Sequence, residues 1–280
     1  MATHTELKTR AQATYNSAAD KYDAPDNTFW DRFGRSTIAR LTLQPGMQVL
    51  DVCAGSGASA IPAAEAVGPS GRVIAVDIAD NLLALLERKA RARGLSNVQV
   101  RSLDLLAIGS MTETFDAVVC VFGIFFLADM AEGVRQLWSR VRGGGQMAIT
   151  TWGPNAFEPM NTTFWTAIRE ERPDLYRQFA PWDLITTPPA LRQLLLDGGV
   201  SEAAVEAEED RHPLPTPESW WALVMGSGYR GTVDQLTEES RERVRSTSRQ
   251  FMFANAVATI TANVLYSVAR KPDVSHPIRP

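Results

Sequence analysis

Asp51, Gly55, Gly57, Asp77 and Asp104 are the residues whose types and spacing point to chemistry. Val49 to Cys53 is a short apolar run holding one acid, the pattern of a buried strand. Ala54-Gly55-Ser56-Gly57-Ala58 follows as a glycine-rich turn, and the Ala-rich stretch Ser59 to Val67, with Glu65 on its polar side, predicts a helix. That order presents free backbone N–H groups and the positive end of a helix beyond the strand. Glycine is needed there because a Cβ would hold a ligand away from the backbone. A nucleoside-type ligand is therefore expected on Ala54, Gly55, Ser56 and Gly57.

Two ligands compete for the turn. Gly55, Gly57 and Ala60 fit G-x-G-x-x-A, and Asp77 closes the next predicted strand, Val73 to Asp77, where a ribose-binding acid belongs. That is a dinucleotide reading. Asp51, four residues before the first glycine, argues the other way. An acid aimed at a pyrophosphate is a poor choice, whereas a ligand with a cationic amino-acid end suits it. Asn97 to Ser102 predicts a third strand followed by another acid, Asp104, and then Leu105.

The spacing V-L-D-x-x-x-G-x-G resembles motif I of the class I S-adenosylmethionine (SAM)-dependent methyltransferases, and Phe115 to Gly123, F-D-x-V-x-x-x-F-G, is similar to the ubiquinone/menaquinone-biosynthesis C-methyltransferase (methyltransferase type 11) family. The resemblance covers about residues 10 to 152. It implies SAM as cofactor, with Asp77 accepting ribose hydroxyls beside Ile78, and Asp104 accepting from the adenine amino group. The Leu105 N–H would meet a ring nitrogen, and Val121 and Phe122 would line the methyl. Ala19-Asp20-Lys21-Tyr22-Asp23 resembles the A-x-x-Y-D element whose tyrosine covers the methionine end, which adds Tyr22 to the cofactor set. Ile124-Phe125-Phe126-Leu127 departs from that family's continuation, which puts a quinone acceptor in doubt. No Asn/Asp-Pro-Pro-Tyr follows the fourth strand, so the amine-gripping motif of adenine-N6 DNA methyltransferases is missing.

The implied fold is α/β: a Rossmann-like seven-stranded methyltransferase sheet with helices on both faces and a helical cap inserted in the C-terminal half. Residues 1–42 are expected to form an N-terminal helical lid, frayed over the first ten. A helical face of Ala11, Tyr15, Ala18 and Tyr22 is followed by a break at Pro25 and a helix from about Thr28 to Leu41. Residues 43–152 are the cofactor-binding core. It includes a helix capped by Asp80, a helix over Met130 to Val141, a Gly143-Gly144-Gly145 turn and a fifth strand, Gln146 to Trp152. Residues 153–270 complete the sheet, with strands over Ala204 to His212 and Thr259 to Ala269, and 271–280 form a flexible tail.

Five of the seven tryptophans, with several phenylalanines, fall after residue 151, which suits a cap over an apolar or aromatic acceptor. Phe126, Trp152, Trp182 and Tyr229 are the candidate acceptor contacts, with Arg230 as a second orienting group. His212, at the end of the predicted sixth strand, is the candidate base. The two cysteines, Cys53 and Cys120, read as small core residues, and no Cys/His cluster has metal-ligand spacing.

The net charge of −4 leaves no basic footprint for nucleic acid. Met1 to Arg10 is polar and no apolar run approaches the ~20 residues of a membrane span. A cytoplasmic protein acting on a small-molecule acceptor is expected, with a homodimer as the assembly to test. Two rival functions stay open: an NAD(P)-dependent oxidoreductase, although no tyrosine is followed by lysine four residues on, and a non-catalytic SAM-binding protein.

Overall fold

Apolar runs spaced by helical stretches can pair in parallel only if each crossover is long enough to carry a helix. The computed structural model, which describes residues 3–178 and 180–273, shows that outcome. Strands β1 (Gln48–Val52), β2 (Arg72–Asp77), β3 (Val98–Ser102), β4 (Phe115–Val121) and β5 (Val141–Trp152) are parallel. β6 (Ala204–Glu208) and β9 (Val264–Arg270) complete a seven-stranded sheet in the order β3-β2-β1-β4-β5-β9-β6, with β9 antiparallel to both neighbours.

Side chains alternate across a strand, so the buried residues of β1 divide between two cores. Val49 packs with Val73, Ala75, Ala117 and Val119 against α2 (Phe29–Ala39), α3 (Ala60–Val67) and α4 (Asp80–Ala92). Leu50 and Val52 face the other way, towards α5 (Met130–Arg140) and α7 (Pro188–Asp197). Helix α1 (His4–Tyr22) lies across α4 near the ends of these strands. The cap comprises α6 (Met160–Glu171), α8 (Pro217–Met225), the short α9 (Arg230–Val233) and α10 (Glu238–Ala254). Among the described residues no helix is long and apolar enough to cross a membrane.

Four local expectations are corrected. Of the first ten residues, those described do not fray, because α1 starts at His4 with Thr3 and Glu6 capping each other: Glu6 N donates to Thr3 Oγ1 at 3.3 Å and Thr3 N to Glu6 Oε2 at 2.7 Å, while 1–2 lie outside the described residues. Asp80 is the first residue of α4, and the N-cap is Ala79. The Gly143–Gly145 segment belongs to β5, absorbed as an irregularity in the β4–β5 register with Gly144 at φ +73°. The two final predicted strands each break, and their outer pieces, β7 (Arg211–Pro213) and β8 (Thr259–Thr261), pair as a separate two-stranded sheet. Of the expected tail, Lys271 is held, its Nζ donating to the carbonyls of Trp138 and Val141, while 274–280 lie outside the described residues.

Candidate active site

β1 and β4 each run directly into a non-glycine residue in the left-handed region, Cys53 (φ 59°) and Phe122 (φ 54°), and Asn155 (φ 61°), three residues past the end of β5, is another. L-residues are held there only where surrounding structure over-determines them. All three line one cavity of about 420 Å³. It opens beyond the carboxyl ends of the strands where the sheet order turns from β1 to β4, the position at which open α/β sheets bind ligands.

One half of this cavity is made by turns of the core. Asp77, at the end of β2, accepts from Gly55 N and from Ala79 N, each at 2.8 Å. Burial raises its pKa, although those N–H donors oppose the rise. Each carboxylate oxygen keeps lone-pair capacity for a further donor. Gly55 sits at φ +53°, and a Cβ there would lie 3.4 Å from the Tyr22 hydroxyl, so the tyrosine covers the turn closely. Ser56 Oγ donates to Asp23 at 2.6 Å, which clips the Tyr22-Asp23 element onto the glycine turn. Asp104 starts the turn at Leu105 by accepting from Leu106 N at 2.9 Å. Burial acts to raise its pKa, but the Leu106 N–H, Lys8 and His4 outweigh it and hold the group below the usual carboxylate range.

The other half is aromatic. Phe122 stacks on Trp152 at 4.0 Å with 17° between the planes. Phe125 stands edge-on to Trp182, and Phe126 to Tyr15. Tyr229 is 6% exposed; its hydroxyl donates to Asn161 Oδ1 at 2.7 Å while its ring packs edge-on against Phe164 and Trp220. Phe157, Trp165 and Arg177 complete this wall.

The structure thus brings Tyr22, Ala54, Gly55, Ser56, Asp77, Ile78, Asp104, Leu105, Val121 and Phe122 to one cavity with Phe126, Trp152, Trp182 and Tyr229. Four expected residues are placed elsewhere. Asp51 is 1% exposed and lies off the cavity wall. It shares the strand face of Val49, so it points to the start of α3, where it accepts from Ser59 Oγ at 2.7 Å. Burial raises its pKa to about 7, against the lowering effect of the Ser59 hydroxyl. Gly57 (φ +93°) packs on α4 instead, where a Cβ would come within 2.3 Å of Leu86 Cδ1. Arg230 is tied to Asp234 and Asp20.

His212 is in β7, 2% exposed and off the cavity wall. Its Nε2 donates to the Asp26 carbonyl at 2.7 Å, and its ring stands edge-on to Phe29. Because the carbonyl can only accept, Nε2 carries the proton in this arrangement. Burial lowers the His212 pKa. Cys53, read as a core thiol, lies on the cavity wall beside buried Cys120.

Sequence reasoning found Tyr22 but missed what the N-terminal half of α1 contributes. His4 Nε2 and Lys8 Nζ reach Asp104 Oδ2 at 3.1 and 3.2 Å, and Gln12 Nε2 donates to the Ile78 carbonyl at 2.8 Å. The Thr3-x-x-Glu6 capping box was the available signal that the helix starts early enough to place them. Arg177 and Asn161 were also missed, and their surroundings in sequence carry no motif.

Comparison with known proteins fits this geometry. The profile of the ubiE/COQ5 methyltransferase family matches residues 4–180. A demethylmenaquinone methyltransferase from Geobacillus sp. (strain WCH70) is 34% identical over 41% of this chain and 50% of its own length. The aklanonic acid methyltransferase DauC of Streptomyces sp. (strain C5) is 28% identical over 51% of this chain and 66% of its own. The matched region therefore spans from about half to two thirds of these relatives. In fold, the chain is similar to a phosphoethanolamine N-methyltransferase 2 from Haemonchus contortus, with a TM-score of 0.57 at 16% identity over 97% of this chain and 61% of that one.

Proposed function

We propose that this chain, which belongs to the ubiE/COQ5 methyltransferase family, transfers a methyl group from SAM to a small, largely apolar or aromatic molecule. The observation that carries this reading is the continuity of one cavity: two acids at successive strand ends lead directly into an aromatic chamber. SAM supplies a sulfonium-bound methyl that departs by in-line displacement with neutralisation of charge.

The chain's own residues account for binding and positioning. Asp77, already oriented by the Gly55 and Ala79 N–H groups, accepts the ribose hydroxyls with its remaining lone pairs. Asp104 accepts an adenine amino hydrogen, and the Leu105 N–H meets the ring. Tyr22 closes over the glycine turn, while Val121 and Phe122 flank the methyl. Phe126, Trp152, Trp182 and Tyr229 hold the acceptor and exclude water. Positioning of this kind supplies on the order of 7–11 kcal/mol without a covalent intermediate. In this reading residues 1–42 act as a lid, 43–152 hold the cofactor, and 153–270 complete the sheet and form the acceptor wall. A buried His212 that faces away from the cavity is a structural group, so the acceptor's proton leaves without it.

Calorimetric titration with S-adenosylhomocysteine and, separately, with NADH tests the reading. Micromolar binding of S-adenosylhomocysteine alone is expected. Binding of NADH alone would transfer the glycine turn to a pyrophosphate and sink the proposal.

A further inference from the structure

The acceptor half of the cavity carries one cation that pairs with no carboxylate among the described residues. Three potential cations line the cavity among the described residues: His4, Lys8 and Arg177. His4 and Lys8 both rest on Asp104 at the opposite end. Arg177 has no carboxylate within ion-pair distance among the described residues. Its guanidinium lies over the Trp165 ring, 5.9 Å from the centroid, and Trp165 is in turn 6.0 Å from Tyr229. The cation is thereby anchored on the aromatic wall, exposed at the rim, with its donors uncommitted.

The two carboxylates that share this wall are engaged elsewhere. Glu158 Oε1 accepts from Thr162 Oγ1 at 2.8 Å and Asn161 Nδ2 at 3.2 Å, and its Oε2 accepts from Thr162 N at 3.2 Å. Asp183 Oδ2 accepts from Ala180 N at 2.8 Å. Neither forms an ion pair with Arg177. Partial desolvation against the wall and, less, the nearby charge of Arg10 on α1 both lower the Arg177 pKa. A planar fork of donors held against an aromatic face matches a planar carboxylate attached to a ring.

We infer that the acceptor is an aromatic acid whose carboxylate is held by Arg177 at the rim while its ring lies against Trp165 and Trp182. This assignment rests on the methyltransferase reading for the identity of the cavity's two ends. Arg177 is then a positioning residue, setting which ring edge turns inward to the methyl, and a neutral ring of equal size would lose that register.

The test uses 2-naphthoate and 2-naphthamide as probes, isosteric in the ring and different in charge. Binding to the full chain saturated with S-adenosylhomocysteine is read by quenching of tryptophan fluorescence. Wild-type protein is expected to prefer 2-naphthoate by about tenfold, the margin of a charge-assisted hydrogen bond over a neutral one. Arg177→Gln should erase that preference by weakening 2-naphthoate alone, with S-adenosylhomocysteine affinity unchanged as the control for folding. Equal binding of the two probes to wild type, no binding of 2-naphthoate, or a preference that survives Arg177→Gln would each overturn the inference. Failure of S-adenosylhomocysteine to bind wild type overturns the methyltransferase reading instead, and the probe pair is then compared on the protein alone.

Discussion

At the cofactor end of the cavity the polar groups come from backbone turns and from acids fixed at strand ends. At the acceptor end they come from side chains of the segment after β5. The first kind of site is specified by a few residues at fixed spacing, because Asp77 ends β2 and its N–H donors lie in the turns that directly follow β1 (Gly55) and β2 (Ala79). The second kind is assembled from Asn161, Trp165, Trp182 and Tyr229, which share no spacing rule and meet only when the cap folds. A single fold can therefore keep one cofactor while its acceptor wall is rewritten.

Substitutions at the two ends should separate accordingly. The largest effect is expected from Asp77→Ala, which removes the ribose acceptor and strips partners from Gly55 N and Ala79 N. At about 1.5–3 kcal/mol for each charged hydrogen bond, S-adenosylhomocysteine affinity should fall by roughly a hundredfold or more. Calorimetry with circular dichroism as a fold check measures it, and normal affinity would remove Asp77 from the site.

His212→Ala should leave that affinity alone and cost about 2–3 kcal/mol of stability, through loss of the bond to Asp26 and of packing on Phe29. A fall in kcat at unchanged Tm would instead give His212 a chemical role. Tyr229→Phe deletes a buried donor to Asn161 and should lower stability by about 1–2 kcal/mol. Acceptor KM should rise while cofactor binding holds. A change in S-adenosylhomocysteine affinity would mean that the two ends are not independent.

A further effect, visible only as a dependence on pH, concerns the carboxylate behind the glycine turn. Asp51 has a folded pKa raised from 3.8 to about 7 by burial. The folded state then binds the extra proton between those values, so its contribution to stability falls as pH rises from about 4 to about 7. Asp51→Asn should flatten that part of a Tm-against-pH curve. A curve still as steep would locate the titration in another group.

The sequence by itself determined the alternation of strands and crossover helices, and with it the parallel sheet and the cavity's place beyond the strand ends. It also determined Gly55, Asp77 and Asp104 as cofactor-side groups, since each is fixed by its distance from the end of a strand. The face of a strand position was also legible in principle: Asp51 and Val49 are two residues apart and share one side, which is why Asp51 meets Ser59 instead of the cavity. The tertiary structure alone decided that β7 and β8 leave the main sheet to pair with each other, which carries His212 to Asp26 and away from the site. It alone placed Arg177 on Trp165, and His4 and Lys8 on Asp104, residues about a hundred positions away. Local patterns record what a residue does to its own backbone; contacts between segments far apart in the chain are settled by how the cap and the first helix pack, and no local period encodes that.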